Sequence, residues 1–281
     1  MRVLVTGSDG LVGSALAPAL VRAGMDVVPF DLVRGDDIRD PASLAKIGPF
    51  DGVVALAAVS RVVWGQRDPA TCIATNVGGT RNILDAARRH GAWVVFASSR
   101  EVYGQPDHLP VAEDHPLRPL NVYAETKVAG EALVRAADLR TAIVRLSSVY
   151  GSPHDHADRV VPAFCRAALA NRPLRVEGRD HRFDLVWLDD VVDALSIISR
   201  RVKEQSLPDL HLVSGKGSTL GELAGMAIAA AGGGVAVDGP PRDYDVSAFV
   251  GDPRRARQLL GWSATTPVDV GVRRLVAALR G

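Results

Sequence analysis

The stretch Thr6-Gly7-Ser8-Asp9-Gly10-Leu11-Val12-Gly13 decides the fold. It follows Val3-Leu4-Val5, a short β-branched run typical of a buried parallel strand, and precedes apolar residues that recur at helical spacing. At such a strand-to-helix turn, Gly7 permits the tight bend, Gly10 lets a pyrophosphate approach the backbone, and Gly13 lets helix and strand pack closely. The N-terminus of the helix then offers N–H groups and a positive dipole end to phosphates. We therefore interpret this loop as a dinucleotide-binding turn.

Strands and helices alternate along the first 150 residues. Predicted strands span 26–31, 51–58, 92–98 and 141–147, and predicted helices span 76–89 and 122–137. This alternation indicates right-handed βαβ crossovers and a parallel sheet covered on both faces. The fold class is therefore predicted to be α/β, a Rossmann-type doubly wound parallel sheet with a smaller, interleaved C-terminal substrate-binding lobe.

The sequence changes in character after about residue 150. The strand predicted over 183–188 and the helix over 189–201 are typical of a return to the main sheet, whereas the neighbouring segments are richer in loops. We expect a dinucleotide-binding domain over residues 1–150, rejoined by 183–205. The substrate-binding lobe is expected over 151–182 and 206–281.

Composition excludes several classes of protein. The chain has 281 residues, 47% of them hydrophobic, with Lys+Arg 33 against Asp+Glu 32, which argues against a nucleic-acid binder and a disordered chain. No apolar run approaches the roughly 20 residues of a membrane helix, and no signal-peptide core follows Met1. The isolated Cys72 and Cys165 suit two reduced thiols. We expect a cytoplasmic protein with no nucleic-acid or membrane partner.

Asp31 ends the predicted second strand, 18 residues after Gly13. At about this spacing from the glycine loop, a carboxylate binds the hydroxyls of the adenosine ribose. A carboxylate there would repel a 2′-phosphate, which favours NAD over NADP, although the nearby Arg34 weakens this choice. The alternative is that Asp31 is an ordinary turn residue at the end of a strand. The presence of the glycine loop favours the cofactor-binding interpretation over this alternative.

Tyr123 and Lys127 lie one turn apart on a predicted helix, so they share a face. A phenol titrates near ~10, and a neighbouring ammonium favours the phenolate and makes it a better base. Lysine is scarce in this chain, so the spacing is less often accidental. Ser98 and Ser99 end a predicted parallel strand, at the edge where α/β proteins bind ligands, and Ser99 could bind the oxygen that Tyr123 deprotonates. The alternative is that the two serines cap the following turn.

Together these motifs resemble the extended short-chain dehydrogenase/reductases, most closely the branch of NAD-dependent nucleotide-sugar epimerases and dehydratases. The resemblance covers nearly the whole chain and rests on the glycine loop, Asn76 to Asn82, Ser98-Ser99 with Val102-Tyr103-Gly104, Tyr123 to Lys127, Arg145 to Gly151, Arg182-Phe183-Asp184 with Trp187 to Asp190, and Asp252-Pro253 through Trp262.

The resemblance implies a bound NAD. By this resemblance, Lys127 would bind the nicotinamide ribose and make Tyr123 a better base. Asn76 would support the residues that contact the cofactor. The implied cofactor-binding set is Gly7, Asp9, Gly10, Leu11, Val12, Gly13, Asp31, Asp37 and Ile38 (flanking the adenine), Ala57 and Ala58 (lining the pyrophosphate crevice), Asn76, Ser98, Tyr123 and Lys127.

The resemblance also implies a nucleotide-sugar substrate, UDP- or dTDP-linked. Its implied contacts are Ser99, Glu101, Ser148, Arg182 and Arg242. The two arginines match positions that clamp the diphosphate, which suits a guanidinium fork. A homodimer is implied through the helices 76–89 and 122–137.

The sequence departs from the family pattern at several positions. Ser148 replaces a usual asparagine, and Arg100 stands where 4,6-dehydratases carry an aspartic acid; an arginine cannot supply that proton. Glu101 matches a dehydratase base and a decarboxylase glutamate, or it has a supporting role. His154 and His156 could be read as metal ligands, but without a further cluster they are more often solvated, so we predict no metal.

The leading hypothesis is an NAD-dependent nucleotide-sugar 4-epimerase. Tyr123 would remove the proton from the sugar O4 as the C4 hydride leaves for NAD, and Ser99 would orient the hydroxyl. The alternatives are a nucleotide-uronic-acid decarboxylase that uses Glu101 and a nucleotide-sugar ketoreductase or dehydrogenase. A non-catalytic NAD-sensing protein is a distant alternative, because Tyr123 and Lys127 are both present.

Overall fold

The computed structural model describes residues 1–241 and 246–281. In this part of the chain the strands are β1 (Arg2–Thr6), β2 (Asp26–Phe30), β3 (Gly52–Ala55), β4 (Trp93–Ser99), β5 (Thr141–Leu146), β6 (Ser148–Tyr150), β7 (Pro173–Glu177), β8 (Arg182–Trp187), β9 (Leu210–Leu212), β10 (Gly217–Thr219), β11 (Val235–Gly239) and β12 (Ala248–Phe249). The α-helices are α1 (Leu11–Arg22), α2 (Pro41–Ala45), α3 (Val62–Arg67), α4 (Pro69–Ile73), α5 (Gly79–His90), α6 (Val122–Arg135), α7 (Val160–Leu169), α8 (Leu188–Arg201), α9 (Leu220–Ala231), α10 (Arg254–Leu260) and α11 (Val268–Arg280). No helix in these residues is long and apolar enough to cross a membrane.

The larger sheet has the strand order β2-β1-β3-β4-β5-β9, and its pairs from β2 to β5 are parallel. Runs such as Trp93–Ser99 are buried along their whole length, as expected for strands covered on both faces. The predicted α/β class with a doubly wound parallel sheet is therefore confirmed.

The helix predicted over 76–89 has a different beginning. Residues Ala74–Gly78 form a π-helical turn that joins α4 to α5, and regular α-helix starts only at Gly79. A π turn holds one residue more than an α turn, which shifts the side chains around the helix axis. Asn76 lies in this turn and is buried.

The strand predicted over 183–188 does not return to the larger sheet. Its counterpart β8 pairs with β6 in parallel, with β10 antiparallel and with β12 in parallel, and these strands form a second sheet. The sixth strand of the larger sheet is β9 instead. The prediction was wrong because an apolar run reports burial but not the partner strand.

The chain divides into two compact units. Unit 1 consists of Met1–Gly104, Glu113–Leu146 and Val192–His211, and unit 2 of Gln105–Ala112, Ser147–Val191 and Leu212–Gly281. Each unit has its own apolar core. That of unit 1 lies around the larger sheet and includes Leu4, Phe30, Val53, Phe96 and Ile143; that of unit 2 includes Tyr150, Phe164, Leu185, Leu223 and Leu275.

A buried carboxylate organises the second sheet of unit 2. Asp184, on β8, accepts hydrogen bonds from the backbone N–H groups of Ser214, Gly215 and Gly251 and from the Ser214 hydroxyl. Burial raises the pKa of Asp184 to about 6, and these donors oppose that shift. The side chain therefore joins two loops, the one between β9 and β10 and the one after β12, to β8.

Candidate active site

The glycine loop packs so closely that side chains would not fit. Gly7 has a φ of +72°, and a Cβ there would lie 2.7 Å from the backbone nitrogen of Ala57. A Cβ at Gly13 would lie 2.0 Å from the carbonyl oxygen of Gly7. These two positions require glycine for conformation and for close packing, respectively.

The N-terminus of α1 is open to a ligand. Gly10 is its N-cap and is exposed, and it provides no side-chain hydrogen bond to the first turn. The first N–H groups of a helix have no acceptor within it, so those at Leu11 and Val12 can bind a phosphate oxygen. The loop thus fits a pyrophosphate at the predicted place.

Asp31 caps the turn at the end of β2 and also binds the glycine loop. Its carboxylate accepts hydrogen bonds from the backbone N–H of Asp9 (2.9 Å) and of Val33 (3.1 Å). Asp9 in turn binds Arg34 through two hydrogen bonds of 2.5 and 2.9 Å, which lower the pKa of the Asp9 carboxyl. Arg34, whose presence weakened the choice of NAD over NADP, is therefore bound by a carboxylate of the glycine loop.

The two residues predicted to flank the adenine differ in exposure. Asp37 is partly exposed and binds Arg39 at 2.6 Å, and this hydrogen bond holds the pKa of the Asp37 carboxyl below its usual value. Ile38 is buried and packs against α5, where a Cβ on Gly79 would lie 2.4 Å from its Cδ1. Only Asp37 presents a partly exposed polar side chain.

Asn76 joins the loop after β3 to α6. Its Oδ1 accepts a hydrogen bond from the backbone N–H of Val59, and its Nδ2 donates to the carbonyl of Val59 and to the hydroxyl of Thr126. The half-buried Ala57 and Ala58 precede Val59 in this loop. The Asn76 side chain thus fixes the predicted pyrophosphate crevice relative to the helix that carries Tyr123.

Ser98 and Ser99 make different contacts at the end of β4. The Ser98 hydroxyl donates to Glu131 Oε1 at 2.6 Å, whereas Ser99 Oγ accepts a hydrogen bond from the backbone N–H of Glu101 at 3.2 Å. Because the Ser99 oxygen already accepts, its own proton can be donated to a substrate oxygen. A role of Ser98 at the cofactor stays a prediction.

Tyr123 and Lys127 lie at the start of α6 and are both buried. Asn121 begins this helix, because its Oδ1 accepts a hydrogen bond from the backbone N–H of Ala124. Lys127 Nζ donates to the carbonyl of Ala97 at 2.8 Å and lies 5.9 Å from the centroid of the Tyr123 ring. Burial lowers the pKa of Lys127 to about 8. The structure therefore places a fixed cation beside the tyrosine.

Sequence reasoning missed a buried ion pair behind this group. Arg145 on β5 binds Glu131 on α6 through two parallel hydrogen bonds of 2.8 and 2.7 Å, and neither side chain is more than 2% exposed. Burial would raise the pKa of Glu131, but its hydrogen bonds to Arg145 hold it below its usual value. The available signals were the spacing of Glu131, four residues after Lys127, and an arginine within an apolar strand.

The predicted substrate residues fall in different parts of the structure. Glu101 is in unit 1, where its carboxylate binds Arg100 Nη2 at 2.8 Å and accepts from Asn121 Nδ2 at 3.3 Å. Ser148 begins β6 in unit 2, and Arg182 begins β8 in the same unit, where its Nη1 donates to the carbonyl of Gly217. Arg242, also predicted as a substrate residue, lies outside the described residues. In residues 1–241 and 246–281, no three potential metal ligands of the His, Cys, Asp or Glu type come together.

The model of the family described as the NAD dependent epimerase/dehydratase family matches residues 3–211, well over half of the chain. The chain belongs to this family. It is therefore an enzyme whose cofactor is NAD, which confirms the predicted family, enzyme class and cofactor. The open α1 N-terminus and the glycines that a Cβ would obstruct fit this cofactor.

Individual relatives include epimerases and a dehydratase. The UDP-glucose 4-epimerase of Mycolicibacterium smegmatis is 32% identical over 100% of this chain and 99% of its own length. The dTDP-glucose 4,6-dehydratase of Streptomyces griseus is 31% identical, covering 98% of this chain and 93% of its own. The structure of Thermus thermophilus UDP-glucose 4-epimerase in complex with NAD matches 100% of this chain and 99% of its own, with a TM-score of 0.90 and 28% identity.

Proposed function

We propose that the protein is an NAD-dependent nucleotide-sugar 4-epimerase that works through a transient 4-keto sugar. One observation carries this proposal. Tyr123 lies one helical turn from Lys127, whose ammonium is fixed to the backbone of β4 two residues before Ser99. All three residues belong to unit 1, so their arrangement is internal to one compact body.

The side chains of this group account for the proton transfer. NAD, held by the glycine loop and Asp31, supplies a reversible hydride acceptor when bound. Tyr123 takes the proton from the sugar 4-hydroxyl, because the buried cation of Lys127 favours its phenolate. Ser99 donates a hydrogen bond to the same sugar oxygen, since its Oγ already accepts from Glu101. Tyr123 returns the proton in the reverse direction, so the tyrosine ends each turnover in its starting state.

The residues next to Ser99 favour epimerisation over dehydration. Arg100 directly follows it, and a guanidinium stays charged and cannot act as an acid. The carboxylate of Glu101 is bound by Arg100 and Asn121. The epimerases among the relatives support the same choice.

We propose that unit 1 binds NAD and that unit 2 binds the nucleotide part of a UDP- or dTDP-sugar, with Arg182 and Arg242 on its diphosphate. The relatives named for UDP-glucose and dTDP-glucose support this substrate class. The enzyme would act in the cytoplasm as a homodimer formed through α5 and α6.

The test is to incubate the NAD-loaded protein with a panel of UDP-, dTDP-, GDP- and CDP-sugars and to identify products by NMR. We expect inversion at C4 of a UDP- or dTDP-sugar without net change in NADH absorbance. Replacing Tyr123 by phenylalanine should lower turnover by about 10²- to 10⁴-fold, because it removes the base, and should affect NAD affinity far less than turnover. Tyr150→Phe, which also loses only a hydroxyl, is the matched control and should retain turnover.

Each alternative gives a different result in this experiment. Full turnover by the Tyr123→Phe variant would refute the mechanism. Net oxidation or reduction of NAD would identify a dehydrogenase or ketoreductase, and loss of carbon dioxide from a uronic acid would identify a decarboxylase. NAD binding with no turnover of any sugar would support a non-catalytic binding protein.

A further inference from the structure

Glu101 contacts one residue that precedes it in the chain, Ser99, and one that follows it, Asn121. It lies in a short 3-10 helix, Arg100–Tyr103, directly after β4, and the residue is 8% exposed. One carboxylate oxygen binds Arg100 Nη2 at 2.8 Å, and the other accepts a hydrogen bond from Asn121 Nδ2 at 3.3 Å. Its backbone N–H donates to Ser99 Oγ. A single residue thus contacts Ser99 through its backbone and Asn121 through its side chain.

Asn121 transmits this contact to α6. Its Oδ1 accepts from the backbone N–H of Ala124, and this bond caps the helix that begins one residue before Tyr123. An amide has donors only on its nitrogen, so the Glu101 carboxylate holds the amide with its oxygen turned towards the helix. The orientation of the cap therefore depends on Glu101.

Arg100 balances the charge of the Glu101 carboxylate and holds it in place. Both side chains are largely buried, at 14% and 11% exposure, and a buried carboxylate without its cation would be strongly disfavoured. The sequence Arg100-Glu101 therefore provides a locally neutral pair whose anionic end binds the cap of α6.

We propose that Glu101 is a positioning residue, held by Arg100, that fixes the start of α6 and with it Tyr123 relative to Ser99. This inference deepens the proposed function and rests on it for the role of Tyr123. It assigns Glu101 no proton transfer, in contrast to a decarboxylase or dehydratase base. Geometry is the reason for the expected effect, because small misplacements of reacting groups can cost about 100-fold in rate.

The test compares Glu101→Met, Asn121→Ser and the double variant. Methionine keeps the length of the side chain but has no oxygen that accepts a hydrogen bond from Asn121. Serine also caps helices well, but it lacks the amide donor that binds Glu101. We expect each single variant to lower the kcat of epimerisation by about tenfold or more, with KM and NAD affinity changed less than about twofold. The double variant should lose no more than either single variant, because both interrupt the same connection. Glu204→Met, at an exposed glutamate of unit 1, is the control and should behave as the wild type.

A result in which Asn121→Ser keeps full kcat while Glu101→Met loses it would overturn the proposal, as would effects that multiply in the double variant. Either outcome would indicate that Glu101 acts on the substrate itself.

A second measurement is independent of activity. Hydrogen exchange of the Ala124 amide in the NAD-loaded protein should be about tenfold faster in Glu101→Met than in wild type or Glu204→Met. Unchanged exchange would refute the positioning role. If exchange accelerates but the wild type epimerises no nucleotide sugar, the positioning role stands and the proposed function fails.

Discussion

From the burial of the Lys127 ammonium we predict how the stability of the protein depends on pH. Replacing Lys127 by methionine retains much of the side-chain length and removes the charge. In the cofactor-free protein this substitution should change how the free energy of unfolding depends on pH. The expected change follows from the pKa of Lys127, which burial lowers to about 8.

The sign of the effect follows from proton binding. An unfolded lysine titrates near ~10.4, so between about pH 8 and pH 10 the unfolded chain binds more protons at this residue than the folded chain. Stability therefore rises with pH across this window. Below about pH 8 both states are protonated, and the full cost of burying the charge is present, about 3 kcal/mol. Between pH 7 and pH 10 the wild type should regain about 2.5 kcal/mol of this cost.

The assay is urea denaturation of wild type and Lys127→Met at a series of pH values from 7 to 10. The difference between the two proteins cancels the titration of all other groups, and it should shift in favour of the wild type by about 2.5 kcal/mol over this range. Lys216→Met, at an exposed lysine, should show no such shift. A difference between wild type and Lys127→Met that is constant with pH would refute the assignment of a lowered pKa to Lys127.

Two further substitutions test the surroundings of the site. Glu131→Gln removes the carboxylate that binds the buried guanidinium of Arg145 through two hydrogen bonds and leaves Asp209, at 2.8 Å, as its remaining anion. It should lower the free energy of unfolding by about 2 kcal/mol in urea denaturation. A loss no larger than that of the exposed Glu125→Gln would contradict a tight buried pair. Gly13→Ala should weaken NAD binding at least about tenfold in calorimetry, because its Cβ would lie 2.0 Å from a carbonyl oxygen of the loop. Gly225→Ala is the control, because Gly225 is an exposed residue of α9 and a Cβ there would meet no atom within 4 Å. This variant should keep the NAD affinity of the wild type and raise the free energy of unfolding by about 1 kcal/mol. Equal NAD affinity in both alanine variants would argue against the close packing of the loop.

The parts of the fold that depend on local pattern were predictable from the sequence. The glycine loop, the alternation of strands and helices and the spacing of Tyr123 and Lys127 all have periodicities that a single chain displays. The partner of β8 was not predictable in this way, because an apolar strand is equally buried in either sheet. The π turn at Ala74–Gly78 was also missed, since nothing in helical periodicity marks one additional residue.

The contacts of individual side chains required the structure. Ser98 and Ser99 are neighbours on a strand, so their side chains leave opposite faces, and the Ser98 hydroxyl binds Glu131 while Ser99 meets Glu101. Alternation alone indicates that the two serines have different surroundings, but not which residues meet them. The contact of Glu101 with Asn121 joins positions 20 residues apart, and no local pattern indicates such a pair.

The π turn constrains how the length of this segment can change. Successive helical residues are rotated by about 100°, so deleting one residue of Ala74–Gly78 would convert the turn to ordinary α-helix and rotate one flank against the other by that angle. Asn76 could then no longer reach both Val59 and Thr126. During evolution, deletion of a single codon here would therefore break the connection between the loop after β3 and α6. Many conservative substitutions in the same segment would leave that connection intact. Codon number at this place should be under stricter selection than the identity of most residues around it.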